Sequence, residues 1–513
     1  MFEGQPKGLW ALALANTGER FGYYTMLAVF ALFLRANFGL DASTAGWIYS
    51  AFLMLVYFLP LAGGLLADKF GYGKMVTIGI TVMFVGYLLL SLPLGGDLIA
   101  LVAMLFALVF IAMGTGLFKG NLQVMVGNLY DNPKYANKRD SAFSLFYMAI
   151  NIGALFAPTA AVEIKEYAET VLGYSSNDAY HFSFAVACAS LILSIAIYYL
   201  FRPTFKHVEG GVSKKDAKKD ANTAVVEEEL SPAETKARVV ALCLVFAVVI
   251  FFWMAFHQNG LTLTYFADEF TAQRSTGVES MLFNVWNLVA IIVIVYALFS
   301  VFQSKTGQGK ALSGTLVVAA IAFLLYQYNN IGGEVVVNAP IFQQFNPFYV
   351  VALTPVSMAI FGWLASKGKE PSAPRKIAYG MLIAAVGFVV MALGCVGLPT
   401  PQVEVVDGES VAKHVADVSP MLLVGVYLVL TFAELLLSPM GISFVSKVAP
   451  PKLKGTMMGG WFVATAIGNL LVGVGGALWG GIDLTIVWTV FVALCIISAI
   501  FMFVMMKRLE KVA

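Results

Sequence analysis

Five residues near the start of the chain place acidic, basic and phenolic groups on one helix face. Asn16, Glu19, Arg20, Tyr23 and Tyr24 are spaced at helical intervals inside an apolar run. A guanidinium binds carboxylates through paired hydrogen bonds, and a carboxyl group takes up and releases protons. Because such charges are costly inside a membrane unless paired or hydrated, they generally line a cavity or pathway. A structural ion pair that joins two helices is the alternative interpretation.

Three more ionisable side chains stand alone in long apolar runs: Lys119, His257 and Glu434. Lys119 lies about ten residues, or about 15 Å of helix, from the polar end of its run, which argues against a side chain that reaches the membrane surface. A cation at that depth needs an anion from the protein or from a solute. His257 could exchange a proton near neutral pH, although a buried neutral histidine with one hydrogen bond fits equally well.

The composition indicates which elements hold these groups. Of the 513 residues, 59% are hydrophobic and only 12% are charged, and the mean hydropathy is +0.82. Many long apolar runs predict membrane-spanning helices instead of a barrel. The net charge of +2 gives no indication of nucleic-acid binding, and the four cysteines show no disulfide or metal-ligand spacing. We therefore expect an all-α membrane protein with no metal, no organic cofactor and no cleavable signal peptide.

The apolar runs predict about fourteen transmembrane helices in two groups. Six runs precede the segment 202–236, which is rich in Lys, Asp, Glu and Ala and is interpreted as a charged cytoplasmic linker. Eight runs follow it, and two of them, at about 280–328, enter as an inserted hairpin. The predicted organisation is a six-helix bundle at 1–201, the linker, and a second six-helix bundle with the hairpin at 237–513.

Basic loops alternate with acidic loops along the predicted spans. Lys69 and Lys74, the linker and the C-terminal tail fall on one side, whereas Asp97, Glu163 and the loop 397–419 fall on the other. Positively charged loops favour the cytoplasm, so we expect both termini to be cytoplasmic. The loop 397–419, with its prolines and acidic residues, is interpreted as a solvated excursion.

The loop after the second run carries a pattern of glycines and charges. Residues 64–74 read G-L-L-A-D-K-F-G-Y-G-K, which resembles the signature loop G-x-x-x-D-[RK]-x-G-x-x-[RK] of the major facilitator superfamily. The glycines permit close helix approach and a tight turn. The resemblance implies the major facilitator fold, in which two six-helix bundles rock against each other. Asp68 would be a gating residue that locks one conformation by accepting hydrogen bonds from a neighbouring helix end.

Motifs along nearly the whole chain resemble the proton-dependent oligopeptide transporter (POT) family of that superfamily. Residues 19–24 read E-R-F-G-Y-Y and match the end of the family's first-span pattern E-x-x-E-R-F-x-Y-Y. Residues 146–153 match F-Y-x-x-I-N-x-G. Further matches lie around Lys119, Trp253, Asn346, Glu434 and Trp461. The resemblance implies a transporter, not an enzyme, that imports di- and tripeptides across a bacterial inner membrane.

The resemblance also implies a role for each matching residue. Arg20 and Lys119 would hold the carboxylate of a peptide, and Glu434 and Asn151 would hold its amino group. Such a cavity suits a zwitterion whose charges lie about 5–10 Å apart. The remaining substrate-binding residues would be Tyr23, Tyr24, Tyr57, Trp253, Asn346 and Trp461. The expected partners are the peptide and membrane lipid, and the expected functional unit is a monomer.

Two departures from the family pattern bear on the energy source. Asn16 replaces a glutamate, and His257 replaces an acid. We expect the proton to be the coupling ion, carried by Glu19, His257 and Glu434, with His257 contributing more than its counterpart in typical relatives. The inserted hairpin follows the seventh span, whereas bacterial members often place one before it.

Three alternatives remain open from the sequence. The chain could be a facilitator for peptides or other small solutes without proton coupling, or a carrier of a different solute such as a small anion. It could also be a non-transporting membrane sensor whose charged stripe only joins helices. An enzyme is disfavoured because no nucleophile–base pair or metal-ligand cluster occurs in the loops.

Overall fold

The computed structural model describes residues 4–135, 138–210, 230–406, 409–450 and 453–512. Fourteen helical segments within these ranges are long and apolar enough to cross a membrane. This agrees with the prediction from the apolar runs. The middle of the predicted linker, 211–229, lies outside the described residues.

Six helices precede the linker and pack on one another, notably α1 on α5 and α6, and α4 on α2 and α3. They are α1 (Lys7–Phe38), α2 (Ala42–Phe70), α3 (Tyr72–Leu90), α4 (Leu98–Asn128), α5 (Arg139–Thr170) and α6 (Ser176–Leu200). Two 3₁₀ helices, Arg202–Thr204 and Lys206–Val208, follow α6, so the start of the predicted linker is helical. We call the end at which α1 terminates the outer end, following the predicted orientation.

The second group of helices begins inside the predicted linker, at Pro232. It comprises α7 (Pro232–Phe256), α8 (Thr262–Glu269), α9 (Gly277–Ser280), α10 (Val285–Gln303), α11 (Gly307–Asn330), α12 (Phe345–Ser366), α13 (Ala373–Gly394), α14 (Pro420–Val448), α15 (Lys454–Leu471), α16 (Gly473–Leu478) and α17 (Leu484–Val512). Further 3₁₀ helices span His257–Gly260, Met281–Phe283 and Ala339–Gln344. The first of them joins α7 to α8 within one membrane span.

Helices α10 and α11 form the inserted hairpin, which follows the seventh span as the sequence predicts. Among the residues of α11, only Ser313 and Ala320 are buried, and the helix packs chiefly on α10. Its exposed side chains are largely apolar, as expected for a helix that faces lipid. Two short strands flank the hairpin, β1 (Arg274–Ser275) and β2 (Val335–Val336), and they pair antiparallel.

The loop 397–419 is solvent-exposed at Val403 and Val405, as expected for a solvated excursion, but it contains regular structure that was not predicted. Within it, β3 (Val403–Val406) and β4 (Glu409–Ala412) form an antiparallel hairpin in which Glu404 lies opposite Val411. Beyond β4, the chain runs alongside the residues that follow α8, with Thr271 and Val418 forming a parallel bridge. Valine is β-branched and favours extended strands. The prediction from the prolines and acidic residues did not include this hairpin.

Polar caps determine where several helices begin. The Asp41 carboxylate accepts two backbone N–H bonds at the start of α2, and Asp97 accepts one at the start of α4. Ser231 and Glu234 form a capping box at the start of α7. Such caps satisfy N–H groups that have no partner within the helix. By fixing the first turn, they also fix which residues lie at mid-membrane depth.

Gly63 and Gly64 offer a matched pair of positions in the signature segment. A Cβ atom on Gly63 would collide with the carbonyl oxygen of Gly116 where α2 crosses α4, whereas a Cβ on Gly64 would meet nothing within 4 Å. We expect Gly63→Ala to destabilise the protein by about 1–3 kcal/mol, as overpacking does, and Gly64→Ala to have little effect. Thermal unfolding of the detergent-purified variants measures the difference. Equal melting temperatures would contradict this account of the crossing.

Candidate functional site

The predicted stripe on α1 holds a buried ion pair. The Arg20 Nε and Nη2 atoms donate to the two carboxylate oxygens of Glu19, both at 2.5 Å. Arg20 is 2% exposed and Glu19 is not exposed at all, and the guanidinium lies 4.5 Å from the centre of the Tyr23 ring. Tyr23 is itself buried. A solute carboxylate can reach Arg20 only by competing with Glu19, so Arg20 is not an open anion site in this conformation.

Lys119 lies against an aromatic ring and forms no ion pair within the described chain. Its Nζ atom lies 4.2 Å from the centre of the Tyr57 ring, and no carboxylate in the described parts of the chain forms an ion pair with it. The buried amide nitrogen of Asn16 also has no hydrogen-bond partner among the described residues. An aromatic face stabilises a cation only weakly compared with a carboxylate. Lys119 is therefore free to bind an anion.

Glu434 is the complementary group in the second bundle. Its carboxylate accepts a hydrogen bond of 2.9 Å from the Asn346 side-chain amide, and the same amide lies 3.2 Å from the Thr431 hydroxyl. No basic side chain within the described ranges pairs with Glu434. Its carboxylate is thus oriented by an uncharged donor and remains able to bind a cation or a proton.

Tyrosines of the first bundle lie within electrostatic reach of both Arg20 and Glu434. Tyr24 interacts electrostatically with both Arg20 and Glu434, and Tyr57 does the same. Tyr147, which is 48% exposed, interacts with Glu434 and Tyr24. Phenols combine an apolar ring with a polar hydroxyl. This arrangement brings side chains of α1, α2 and α5 close to Glu434 of α14, and we call the region among them the cavity.

His257 lies at the break between α7 and α8, next to this cavity. Its Nδ1 atom is 2.6 Å from the Asn469 Oδ1 atom, and its ring stacks on Trp253 with centroids 5.0 Å apart. The ring centre is 6.2 Å from that of Tyr57, the tyrosine whose ring face contacts the Lys119 Nζ atom. The Trp253 Nε1 and Asn469 Nδ2 atoms are buried without partners in the described chain. His257 is therefore held in place while hydrogen-bond donors beside it remain available.

The outer end is closed by a buried ion pair between the two bundles. Arg35, in the last turn of α1, lies 2.5 Å from Glu269, at the end of α8. The Glu269 carboxylate also accepts from Trp479 Nε1 at 3.1 Å, and the Arg35 guanidinium lies 4.5 Å from the Tyr265 ring centre. Because Glu269 is 1% exposed, the pair is shielded from water and screened little by salt. It holds the bundles together at this end.

The inner end shows no equivalent pair in the described ranges. Asp68 is exposed, and its carboxylate accepts a hydrogen bond of 2.7 Å from the Tyr72 hydroxyl, one turn along the chain. The turn between α2 and α3 depends on Gly71, whose φ of 95° favours glycine. Within the described chain, the hydrogen bond of the Asp68 carboxylate is to its own bundle, and its gating role stays a prediction.

Comparisons with known proteins agree with this geometry. The POT family model matches residues 73–231 and 321–479. The uncharacterized transporter YclF of Bacillus subtilis is 30% identical over 484 residues, which cover 91% of this chain and 86% of that protein. The chain belongs to the POT family. It is therefore a multi-pass inner-membrane transporter and not an enzyme.

Other POT relatives give the same result. The dipeptide and tripeptide permease B of Salmonella typhimurium is 28% identical over 491 residues, 91% of this chain and 86% of that protein. A POT family transporter in complex with 5-aminolevulinic acid has a similar structure, with a TM-score of 0.74, 21% identity and coverage of 99% and 98%. For peptide transporter POT in complex with sulfate, the TM-score is 0.73 and the identity is 22%, with coverage of 100% of this chain and 96% of that chain. The helices thus form the major facilitator fold that the signature loop predicted.

Two predicted site residues of this POT chain are engaged within the protein. The Asn151 amide donates 3.0 Å to the Tyr147 backbone oxygen, and Trp461 is 3% exposed against Gly441, where any Cβ would collide with its ring. Asn151 lies beside the exposed Tyr147, at the edge of the cavity. Neither role in peptide binding is tested by these contacts, and both stay predictions.

Sequence reasoning missed the outer ion pair and the Asn469 contact with His257. Arg35 and Glu269 lie at the ends of apolar runs, where charged residues are common and carry little signal. Asn469 shares a helix face with Trp461 and Thr465 at helical spacing. This spacing predicts a polar face on α15 but does not identify the residue that contacts it.

Proposed function

We propose that this POT family chain imports di- and tripeptides by alternating access. The observation that carries the proposal is the pair of unmatched charges in the cavity, Lys119 from the first bundle and Glu434 from the second. A peptide zwitterion places its carboxylate near Lys119 and its amino group near Glu434, which satisfies both. Because each bundle supplies one charge, bound peptide links the two halves. The names of the permease B relatives support the same substrate class.

Arg20 gives the first bundle a second anion-binding group. Its guanidinium is saturated by Glu19 in this conformation, so a substrate carboxylate that binds it displaces Glu19. The displaced carboxylate then becomes available to a proton. This exchange supplies a route by which peptide binding promotes proton uptake, since a carboxyl beside a cation resists protonation and one that has lost its cation does not.

The proposed coupling ion is the proton, carried by Glu19, Glu434 and His257. Protonation of Glu434 removes the charge that attracts the peptide amino group and would favour release. A ligand shifts a two-state equilibrium only by its differential affinity for the two states. Proton and peptide would therefore act together by changing how strongly the bundles attract each other across the cavity.

Uptake of a labelled dipeptide into proteoliposomes, with and without an imposed inward proton gradient, tests the proposal. Accumulation above the external concentration only when the gradient is present supports symport. Equilibration to the external concentration in both cases identifies a facilitator, and absence of any peptide flux overturns peptide transport. The purified protein is used in its full length, and empty liposomes provide the baseline.

His257→Gln should abolish gradient-driven accumulation while leaving peptide counterflow intact. Glutamine keeps a side chain able to hydrogen-bond Asn469 but does not titrate. Counterflow needs only peptide binding and the movement of the bundles, so it reports whether the variant is folded. His207→Gln, an exposed histidine after α6, is the matched control. Full accumulation by His257→Gln would exclude His257 from coupling.

The proposed orientation has both termini in the cytoplasm, and the proposed functional unit is a monomer. The alternation of basic and acidic loops supports the orientation. The cavity supports the monomer, because all of its charged groups come from one chain. Import is then the movement of peptide from the outer end, closed in this structure, to the inner end.

A further inference from the structure

A segment of the second bundle lies across the outer end of α8. We call residues 413–418, between β4 and α14, the strap. The Val415 N–H donates to the Glu269 carbonyl at 2.8 Å, and the Val418 N–H donates to the Phe270 carbonyl at 2.8 Å. In return, the Ala272 N–H donates to the Val418 carbonyl at 2.9 Å. The strap therefore fixes the backbone at the very position from which Glu269 reaches Arg35.

His414 adds a titratable contact to the strap. Its Nδ1 atom lies 2.9 Å from the Asp268 backbone oxygen, and its Nε2 atom lies 3.1 Å from an Asp417 carboxylate oxygen. A carbonyl oxygen only accepts hydrogen bonds, so Nδ1 carries a proton. In the neutral ring Nε2 is then an acceptor, and it faces another acceptor. Both contacts are hydrogen bonds only when Nε2 is also protonated, and the Nε2–H then donates a charge-assisted hydrogen bond to the Asp417 carboxylate.

The strap also connects to the first bundle. Asp268, held by His414, immediately precedes Glu269, which pairs with Arg35 of α1. Just before the strap, Val411 and Ala412 of the β-hairpin share a small cavity of about 60 Å³ with α1 and α6. The hairpin thus covers the contact between the two bundles. The strap hydrogen-bonds the end of α8, whose Glu269 forms the ion pair across this contact.

We propose that His414 is a proton-operated latch on the outer end, which on protonation tightens the strap and favours the outer-closed conformation. The latch acts on the alternating-access cycle of the proposed function but does not depend on which solute is carried. Its role differs from that of Glu19, Glu434 and His257, because His414 lies outside the membrane span and away from the cavity. It responds to the solution at the outer end.

The charged groups around His414 support protonation there. Burial opposes the His414 cation, but the Asp268 carbonyl and the Asp417 carboxylate outweigh it and raise the pKa above its usual value. The side chain of Asp268 is a further acid on α8, and Asp417 belongs to the strap itself. The nearby cations are Arg35 on α1 and Lys165 on α5, and both interact with Asp268. Each cation therefore has an acid close to it.

The sign of the pH effect follows from the raised pKa. In the proposed latch, the strap contacts of His414 loosen when the outer end opens, so that its pKa returns toward the ordinary value of 6.5. The raised pKa then stabilises the closed conformation fully below pH 6.5. This contribution is lost as the pH rises through the raised value. Under an inward proton gradient the outer solution is the acidic one, so the latch favours outer closure on the side where protons are abundant.

Pulsed electron paramagnetic resonance between two spin labels can measure the latch directly. The labels are placed at Tyr174 and Thr400, exposed outer-end positions of the two bundles, after replacement of the exposed Cys243 with serine. The protein in nanodiscs, without peptide, is compared at about pH 8 and about pH 5.5, on either side of the usual histidine pKa. We expect acidification to raise the ratio of outer-closed to outer-open molecules. His414 should contribute a factor of about two to five to this rise, which is the range for partly exposed charge pairs.

Comparison of variants isolates the His414 contribution. His414→Gln should lose that two- to fivefold part of the pH response, and Asp417→Asn should reproduce the loss with the histidine retained. Exposed His207, at the inner end, provides the control His207→Gln, which keeps the full response. Titration of the cavity groups is common to all variants and cancels in the comparison.

Two results would overturn the latch. One is a pH response of His414→Gln and Asp417→Asn equal to that of His207→Gln. The other is that His414→Gln changes the closed fraction by the same amount at both pH values, which would make His414 a structural residue only. Because no peptide is present, the outcome is independent of the uptake experiment, and loss of peptide transport would leave it unaffected.

Discussion

Replacing Arg35 with alanine should open the outer end of the transporter and lower its stability. The substitution leaves the Glu269 carboxylate, 1% exposed, without the cation that lies 2.5 Å away, and among the described residues only the Trp479 Nε1–H still donates to it. Removing one partner of a buried pair costs about 3–5 kcal/mol, because the other charge stays desolvated. Outward opening hydrates Glu269 and relieves that cost. The population should therefore shift toward outward-open states, as reported by the Tyr174–Thr400 spin-label distance.

A second ion pair at the same end provides the control. Arg274 and Glu334 lie 2.8 Å apart with side chains 71% and 54% exposed, and exposed pairs contribute only about 0–1 kcal/mol. Arg274→Ala should leave both the distance distribution and the melting temperature almost unchanged. Glu269→Gln introduced together with Arg35→Ala should recover part of the lost stability, since no unpaired charge remains. If Arg35→Ala behaves like Arg274→Ala, the pair does not close the outer end.

The parts of the site that the sequence predicted are those in which one residue type is unusual for its surroundings. Lys119, His257 and Glu434 are rare in apolar runs, so their presence alone indicated a cavity. Glu19 and Arg20 are neighbours in the chain, and their pairing needed no knowledge of the fold. The helix number and the place of the inserted hairpin followed from hydropathy, because a span must satisfy its backbone hydrogen bonds internally.

The parts that the sequence did not predict depend on contacts between distant segments. Arg35 and Glu269 are 234 residues apart, and His257 and Asn469 are 212 apart. Each of these residues is unremarkable in its own segment, and only the packing of the bundles identifies its partner. The pairing of the strap with the end of α8 was not predicted for a related reason, since it is not encoded in the strap's own charge pattern.

The difference between Arg20 and Lys119 as anion-binding groups also emerges only from the structure. Arg20 and Lys119 both match the family pattern of anion-binding residues, yet Arg20 is saturated by Glu19 while no carboxylate among the described residues forms an ion pair with Lys119. The difference reflects Asn16, which leaves the first bundle with one carboxylate for two cations. Lys119 is therefore the group that should dominate recognition of a substrate carboxylate in this conformation.

Lys119→Gln and Glu434→Gln should each reduce the apparent affinity for a dipeptide by at least about 30-fold. Truncating one partner of a buried, hydrogen-bonded charge pair costs about 2–5 kcal/mol, and each 1.4 kcal/mol is a factor of about ten. Concentration-dependent inhibition of labelled-peptide counterflow in proteoliposomes measures the change. Lys310→Gln and Glu279→Gln remove exposed charges of the same types and should have no effect on affinity.

Modified substrates separate a direct contact from a general disturbance of the cavity. A dipeptide amide lacks the terminal carboxylate, so it should inhibit labelled-peptide counterflow with the same potency in the unmodified protein and in Lys119→Gln. An N-acetyl dipeptide lacks the amino charge, so it should not distinguish the unmodified protein from Glu434→Gln. If Lys119→Gln weakens the amide as much as the free peptide, Lys119 does not contact the carboxylate, because a non-additive response to the two changes is the signature of direct interaction. The same comparison assigns Glu434 either to the peptide amino group or to the coupling proton alone.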